Sequence, residues 1–182
     1  VPNIVLSANT QMVSINDKIC FFPEKKFYKI NTGEIGNIEA TYISTNISSI
    51  DVYSNKLVFN GASGLADKFN VGDVLETTVA ANASGIKSDT EGVSGEELQA
   101  DIETSAEVIS EIGNNYITFQ KDISLLPNTA GVKKIQATGV SMLTLKRKCP
   151  DLDYVIEWNN RLWGCSNSDN TIYASKLGDP TN

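Results

Sequence analysis

Three carboxylates near the C-terminus, Asp151, Asp153 and Glu157, are of a type and spacing that could do chemistry. Glycoside hydrolysis uses two such groups about 5–10 Å apart across a sugar ring, one as acid and one as base or nucleophile. Trp158 and Trp163 lie beside them, and aromatic faces on a sheet can stack on sugars or bases. An acidic run could supply oxygen ligands to a hard cation. Lys146-Arg147-Lys148 could touch a phosphate.

Each group also has a plainer role, and the plainer role is the expectation here. The three carboxylates suit turns and strand edges, because nothing else in the sequence builds a cleft. The acidic run lacks the D-x-[DN]-x-[DN]-G spacing of a calcium loop and reads as a solvated face. The tryptophans suit core or blade packing, where large apolar side chains contribute most. The basic triplet suits a solubilising sheet edge at the end of a strand, which like charges keep from mispairing. No glycine-rich phosphate loop and no G-x-S-x-G elbow is present.

The chain contains no histidine. That removes the commonest general base, the commonest zinc ligand and every Ser-His or Cys-His nucleophile pair. Cys20, Cys149 and Cys165 form no C-x-x-C pair and are expected to be reduced thiols, consistent with intracellular synthesis. The expectation is therefore a protein that is not an enzyme, with no catalytic, metal-binding or cofactor-binding residues and no cofactor.

Net charge is −7, unevenly distributed. Between Ser88 and Gln120 stand Asp89, Glu91, Glu96, Glu97, Asp101, Glu103, Glu107 and Glu111 with no base. Lys121, Lys133, Lys134, Lys146, Arg147 and Lys148 then follow against Asp122. No dominant basic face results, which argues against tight nucleic-acid binding. Hydrophobic residues make up 41% of the 182, but no run approaches the roughly 18 apolar residues of a membrane span.

The elements that must position these side chains are strands. Trp158-Asn159-Asn160-Arg161-Leu162 repeats Ile15-Asn16-Asp17-Lys18-Ile19, with Tyr53-Ser54-Asn55-Lys56-Leu57 as a looser third copy. Asn and Asp tolerate positive φ and suit the tight hairpin turn. Strand, turn, strand, loop, strand at both ends of the chain gives most of a propeller blade twice. Between them, 69–75 predicts a strand entered through a Gly-Asp turn, and 80–97 predicts an exposed loop. Ser94-Gly-Glu-Glu97 resembles a capping box and predicts a short helix over 95–103 at most, giving way to a strand near Ala106. A hairpin around Gly113-Asn114-Asn115 follows, with Val108, Ile117 and Phe119 on alternating positions, then one or two strands over 131–145.

The C-terminal wording, Asn160-Arg-Leu-Trp-Gly164 and then Thr171-Ile-Tyr-Ala-Ser-Lys-Leu-Gly-Asp-Pro180, resembles the blade sequence of phage and prophage virion proteins of the tail-nozzle (tail tubular) kind, which are built around a β-propeller. Phe69-x-Val-Gly-Asp-Val74 with Asn114-x-Tyr-Ile-Thr-Phe119 resembles small β-barrel or sandwich modules inserted in virion proteins.

The resemblance implies an all-β chain of antiparallel hairpins. Residues 1–45 and 149–182 are expected to be propeller-blade-like, with an inserted small β-barrel or sandwich module over 46–148 that carries the acidic loop. It implies a structural component of a bacteriophage or prophage tail, located in the virion and forming a ring around the DNA channel. Its partners would be other copies of itself and neighbouring tail or portal proteins, with no membrane. An alternative is a carbohydrate- or receptor-binding β module. Two incomplete blades cannot close a propeller, so the chain is expected either to be part of a longer one or to pair its ends in a two-sheet body.

Overall fold

The computed structural model describes residues 4–126, 131–168 and 170–181. The chain divides into a terminal unit, Val1–Glu39 with Lys148–Asn182, and a central unit, Ala40–Arg147. Among the described residues it is all-β, antiparallel throughout, with one short α-helix and no closed barrel.

The terminal unit begins with a four-stranded meander, β1 (Gln11–Ile15), β2 (Lys18–Phe22), β3 (Lys26–Lys29) and β4 (Ile35–Asn37), paired in that order. Ile15 faces Lys18 across a two-residue turn in which Asn16 takes φ 52°, a conformation Asn tolerates better than most residues. Period-2 alternation then sorts the side chains. Val13, Ile15, Cys20, Phe22 and Phe27 share one face, while Met12, Ile19, Phe21 and Tyr28 share the other.

The central unit holds β5 (Ala40–Ser44), β6 (Ser49–Val52), β7 (Lys56–Asn60), β8 (Val74–Ala81), β9 (Lys87–Ser88), β10 (Ser105–Ile112), β11 (Tyr116–Phe119), β12 (Ile135–Thr138) and β13 (Val140–Arg147). They form a sheet in the order β5-β13-β8-β10-β11-β7-β6-β12-β9. β10 joins its halves: Ser105–Val108 pair with β8, and Ile109–Ile112 pair with β11. Two register shifts along it, one at Ala106 with φ 72°, bend the strand as bulges do. The bend gathers Ile50, Phe59, Leu75, Ile109, Phe119 and Leu145 into one core.

Helix α1 (Gly95–Ile102) sets Leu98 and Ile102 into that core. Ser94 Oγ accepts from Glu97 N at 3.2 Å, and Ser94 N donates to Glu97 Oε2 at 3.0 Å, so the capping box is complete. Gly95 permits a close approach that no side chain could, since a Cβ there would stand 1.7 Å from Ile86 O.

Several expectations need correction here. β5 belongs to the central unit, because Ala40–Ser44 pair with Arg147–Leu143; a terminal segment reaching 45 therefore extends too far. The strand expected over 69–75 starts only at Val74, because Asp73 Oδ2 accepts from Asn70 N at 2.8 Å and folds 70–73 into a turn. The stretch 80–97 is not all loop: it holds the end of β8, β9 and the start of α1. In β10, the register shift moves Ile109 into the core and leaves Val108 half-buried.

The terminal unit closes with a second meander, β14 (Tyr154–Trp158), β15 (Arg161–Ser166) and β16 (Thr171–Ala174). Asn159 and Asn160 take φ 53° and 57°, as a type I′ hairpin requires of both central residues. The two meanders pair as a two-sheet body. Ile15, Cys20 and Phe22 of the first share a core with Val155 and Leu162 of the second. Each fully buried side chain of this kind contributes roughly 1.5–3 kcal/mol. At the seam Gln11 mimics a peptide unit: Val155 N donates to its Oε1 at 3.0 Å, and its Nε2 donates to Asp153 O at 2.5 Å. This satisfies part of the edge of β14.

Candidate functional site

The most unusual surface lies on the outer face of β14–β16. Register places Tyr154 opposite Cys165 and Cys165 opposite Ile172, Ile156 opposite Trp163, and Trp158 opposite Arg161. All share one face, because residues directly opposite point the same way. Val155, Leu162 and Gly164 occupy the other face, against the core. Gly164 has no room for a side chain there, since a Cβ would stand 2.4 Å from Leu152 Cδ1.

The outer face is open. Tyr154 is 64% exposed, Ile156 62%, Trp158 64% and Ile172 74%. Isolated exposed apolar residues are ordinary, but a contiguous aromatic and aliphatic patch marks a contact surface. The expectation that Trp158 packs in a core is therefore overturned. Trp163 is half-buried, its ring centroid 6.2 Å from that of Trp158 and tilted 58°. The indole N–H of Trp163 donates to Trp158 O at 3.1 Å, and Arg161 Nη1 donates to Ser175 O at 2.7 Å. These polar groups are engaged within the sheet, so the patch offers chiefly apolar area.

The carboxylates have local duties. Asp151 lies 2.7 Å from Lys25 Nζ with its side chain 91% exposed. Asp153 Oδ2 accepts from Asn167 N at 2.6 Å, and Glu157 Oε1 accepts from Asn160 N at 2.7 Å, bracing the hairpin turn.

The acidic run is dispersed over a loop, α1 and β10 and is bound locally. Asp89 accepts from Gln136 N, Glu97 completes the cap, Asp101 accepts from Ser124 Oγ, and Glu111 accepts from Tyr116 OH. Among the described residues, no three ligating side chains are grouped to hold a metal ion.

The basic triplet divides by strand parity. β13 lies between β5 and β8, so it is no sheet edge, contrary to the expectation for these bases. Lys146 points outward, and Arg147 points inward to Asp73 Oδ2 at 3.2 Å.

Compared with family models, curated proteins and solved structures, the chain matches none. The sequence reasoning missed the open face although its signal was visible. In Tyr154-Val-Ile-Glu-Trp158 both alternating sets contain apolar residues, the pattern of a strand meant to be covered on both sides.

Proposed function

We propose that this chain is a non-enzymatic structural component of a bacteriophage or prophage tail of the tail-nozzle kind. It would contribute to a ring-like assembly around the DNA channel, together with copies of itself and neighbouring tail or portal proteins. The observation that supports this reading is the outer face of β14–β16: one face of the sheet packs in a core, and the other presents Tyr154, Ile156, Trp158 and Ile172 to solvent. A protein that works by assembly needs such a surface, and a two-sheet body by itself does not. The net charge of −7 fits a channel that passes DNA without holding it, since like charge forms no counterion-releasing contacts.

The test is electron microscopy of purified phage particles labelled with gold-conjugated antibody against this chain. Label at the tail supports the proposal. Particles without label, from lysates in which the chain is abundant, overturn it.

The exposure of Trp158 also favours a second reading, a carbohydrate- or receptor-binding module. Binding on a glycan array that is lost in Trp158→Ala, with the fold intact, would select that reading instead.

A further inference from the structure

The two edges of the central sheet are built differently, and only one of them is guarded. At the β9 edge the strand is two residues long and opens on Lys87. Thr90 N turns back to Ser88 Oγ at 3.0 Å, and Asp89 Oδ1 accepts from Gln136 N at 2.7 Å. Gly95 brings the start of α1 close against Ile86 O. A short strand, a charge and a covering helix each keep an edge from pairing. At the other edge β5 reads Ala40-Thr41-Tyr42-Ile43-Ser44, with no charge, proline or glycine. All five residues pair with β13 in unbroken register, and among the described residues β5 pairs with β13 alone. An antiparallel strand aims alternate N–H and C=O groups away from its partner, so β5 presents a regular, neutral ladder. Thr41 and Ile43 are exposed on the outer face of the sheet. On the inner face Ala40 and Tyr42 pack against the core yet stay half-covered, with Tyr42 OH donating to Ser63 O at 2.9 Å. The core therefore reaches β5 with its flank open.

We propose that β5 pairs with β5 of a second copy of this chain, antiparallel about a two-fold axis through Tyr42. A central sheet with one unguarded edge cannot propagate: two copies satisfy each other's edge and leave none over, which is the closed isologous arrangement. A strand from another protein would have to hide a far edge of its own. Because β5 is uncharged, self-pairing sets no like charges opposite each other. The register about Tyr42 places Thr41 against the partner's Ile43, a β-branched cross-strand pair, and Ala40 against the partner's Ser44. Opposite residues point the same way, so both inner faces stay on one side and Ala40 and Tyr42 gain the cover they lack. Five paired residues bury less than the roughly 1,200 Å² of a stable interface, so the pair forms reversibly with concentration. The pairing concerns the central unit and is independent of the tail reading.

The experiment compares the native full chain with two double variants from micromolar to millimolar concentration. Thr41→Glu with Ile43→Glu sets like charges opposite each other across the axis, and Thr41→Glu with Ile43→Lys sets opposite charges there. Both share the Thr41→Glu change, which faces Lys146 on β13, so they differ only in the sign at one exposed position. Sedimentation reads the mass, and amide exchange followed by mass spectrometry confines the reading to β5. In the native chain the apparent mass is expected to rise up to twofold while β5 exchange slows. Both effects should be lost in the like-charge variant and regained in the opposite-charge one. Native β5 exchange that ignores concentration overturns the proposal, whatever the mass does, and leaves this edge to a strand of another protein. Slowing that persists in the like-charge variant, or is not regained in the opposite-charge one, overturns the two-fold register and the proposal with it.

Discussion

Asn16 donates from its side-chain Nδ2 to the carbonyl of Gly178 at 2.8 Å, across 162 positions of sequence. Gly178 N in turn donates to Asn160 O at 2.6 Å. The two equivalent hairpin turns thus meet on one glycine, whose φ is 73°. A Cβ there would stand 2.9 Å from Asn16 Nδ2 and 3.3 Å from that of Asn160. The glycine of the Gly-Asp-Pro stop is needed both for its backbone conformation and for its lack of a side chain.

Gly178→Ala is expected to destabilise the terminal unit by about 1–2 kcal/mol, from left-handed strain and displaced amides. Asn16→Ala should cost about 1 kcal/mol through the lost hydrogen bond. Urea titration of both variants and the double variant checks this. The double variant should lose less than the sum, because the two changes break the same contact.

Lys25 staples the place where the chain leaves the terminal unit to the place where it returns. Its ammonium reaches Glu39 Oε1 at 3.0 Å, Asp151 Oδ1 at 2.7 Å and Cys149 O at 2.7 Å. Partial burial works against its charge, but the hydrogen bonds to Asp151 and Glu39 outweigh burial and raise its pKa above the usual 10.5. A raised pKa stabilises the fold fully below the unfolded value, and that contribution disappears as pH climbs through the folded value. Lys25→Met should therefore be less stable than wild type at neutral pH, with the gap narrowing above about pH 10.5. Denaturant titrations at successive pH values measure the gap, and a gap independent of pH would reject the staple.

Asp73 and Arg147 are a buried pair inside the central unit, and the Asp73 side chain is wholly enclosed. Asp73→Ala leaves the guanidinium without its carboxylate and also removes the acceptor for Asn70 N. A loss of about 3–5 kcal/mol is expected. Replacing both partners, Asp73→Leu with Arg147→Met, should recover much of it, because no buried charge then remains. Thermal unfolding of the three variants decides the matter.

Cys20 is fully buried, and burial pushes its thiol up to about 12. The thiolate is the nucleophile, so Cys20 should resist iodoacetamide at about pH 8 in the folded protein. The half-buried Cys149 and Cys165 should react before it. Intact mass before and after denaturation counts the labelled thiols. Prompt labelling of Cys20 in the native state would show that the core between the meanders opens.

The legible features were those completed within a few residues. The Asn159-Asn160 turn, the Ser94–Glu97 cap and the inward Ile117 and Phe119 are each specified by neighbours in sequence. What escaped depended on distant partners. Ala40–Ser44 became part of the central sheet only because β13 lies beside it; the turn at 70–73 is the exception, a local one, since Asp73 caps Asn70 three residues away. The triplet at Lys146 split because its strand is internal, so that Arg147 had to find a carboxylate.

The candidate site shows the same division. From sequence alone came the repeated hairpin with its Asn159-Asn160 turn, because turn dihedrals are local properties; the two apolar faces of Tyr154 to Trp158 were visible there but went unread. Only the folded molecule decided that Ile15 is covered while its counterpart Trp158 is open. Burial of a sheet face is a property of whatever lies against it, and for Ile15 that neighbour is Val155 and Leu162, far along the chain.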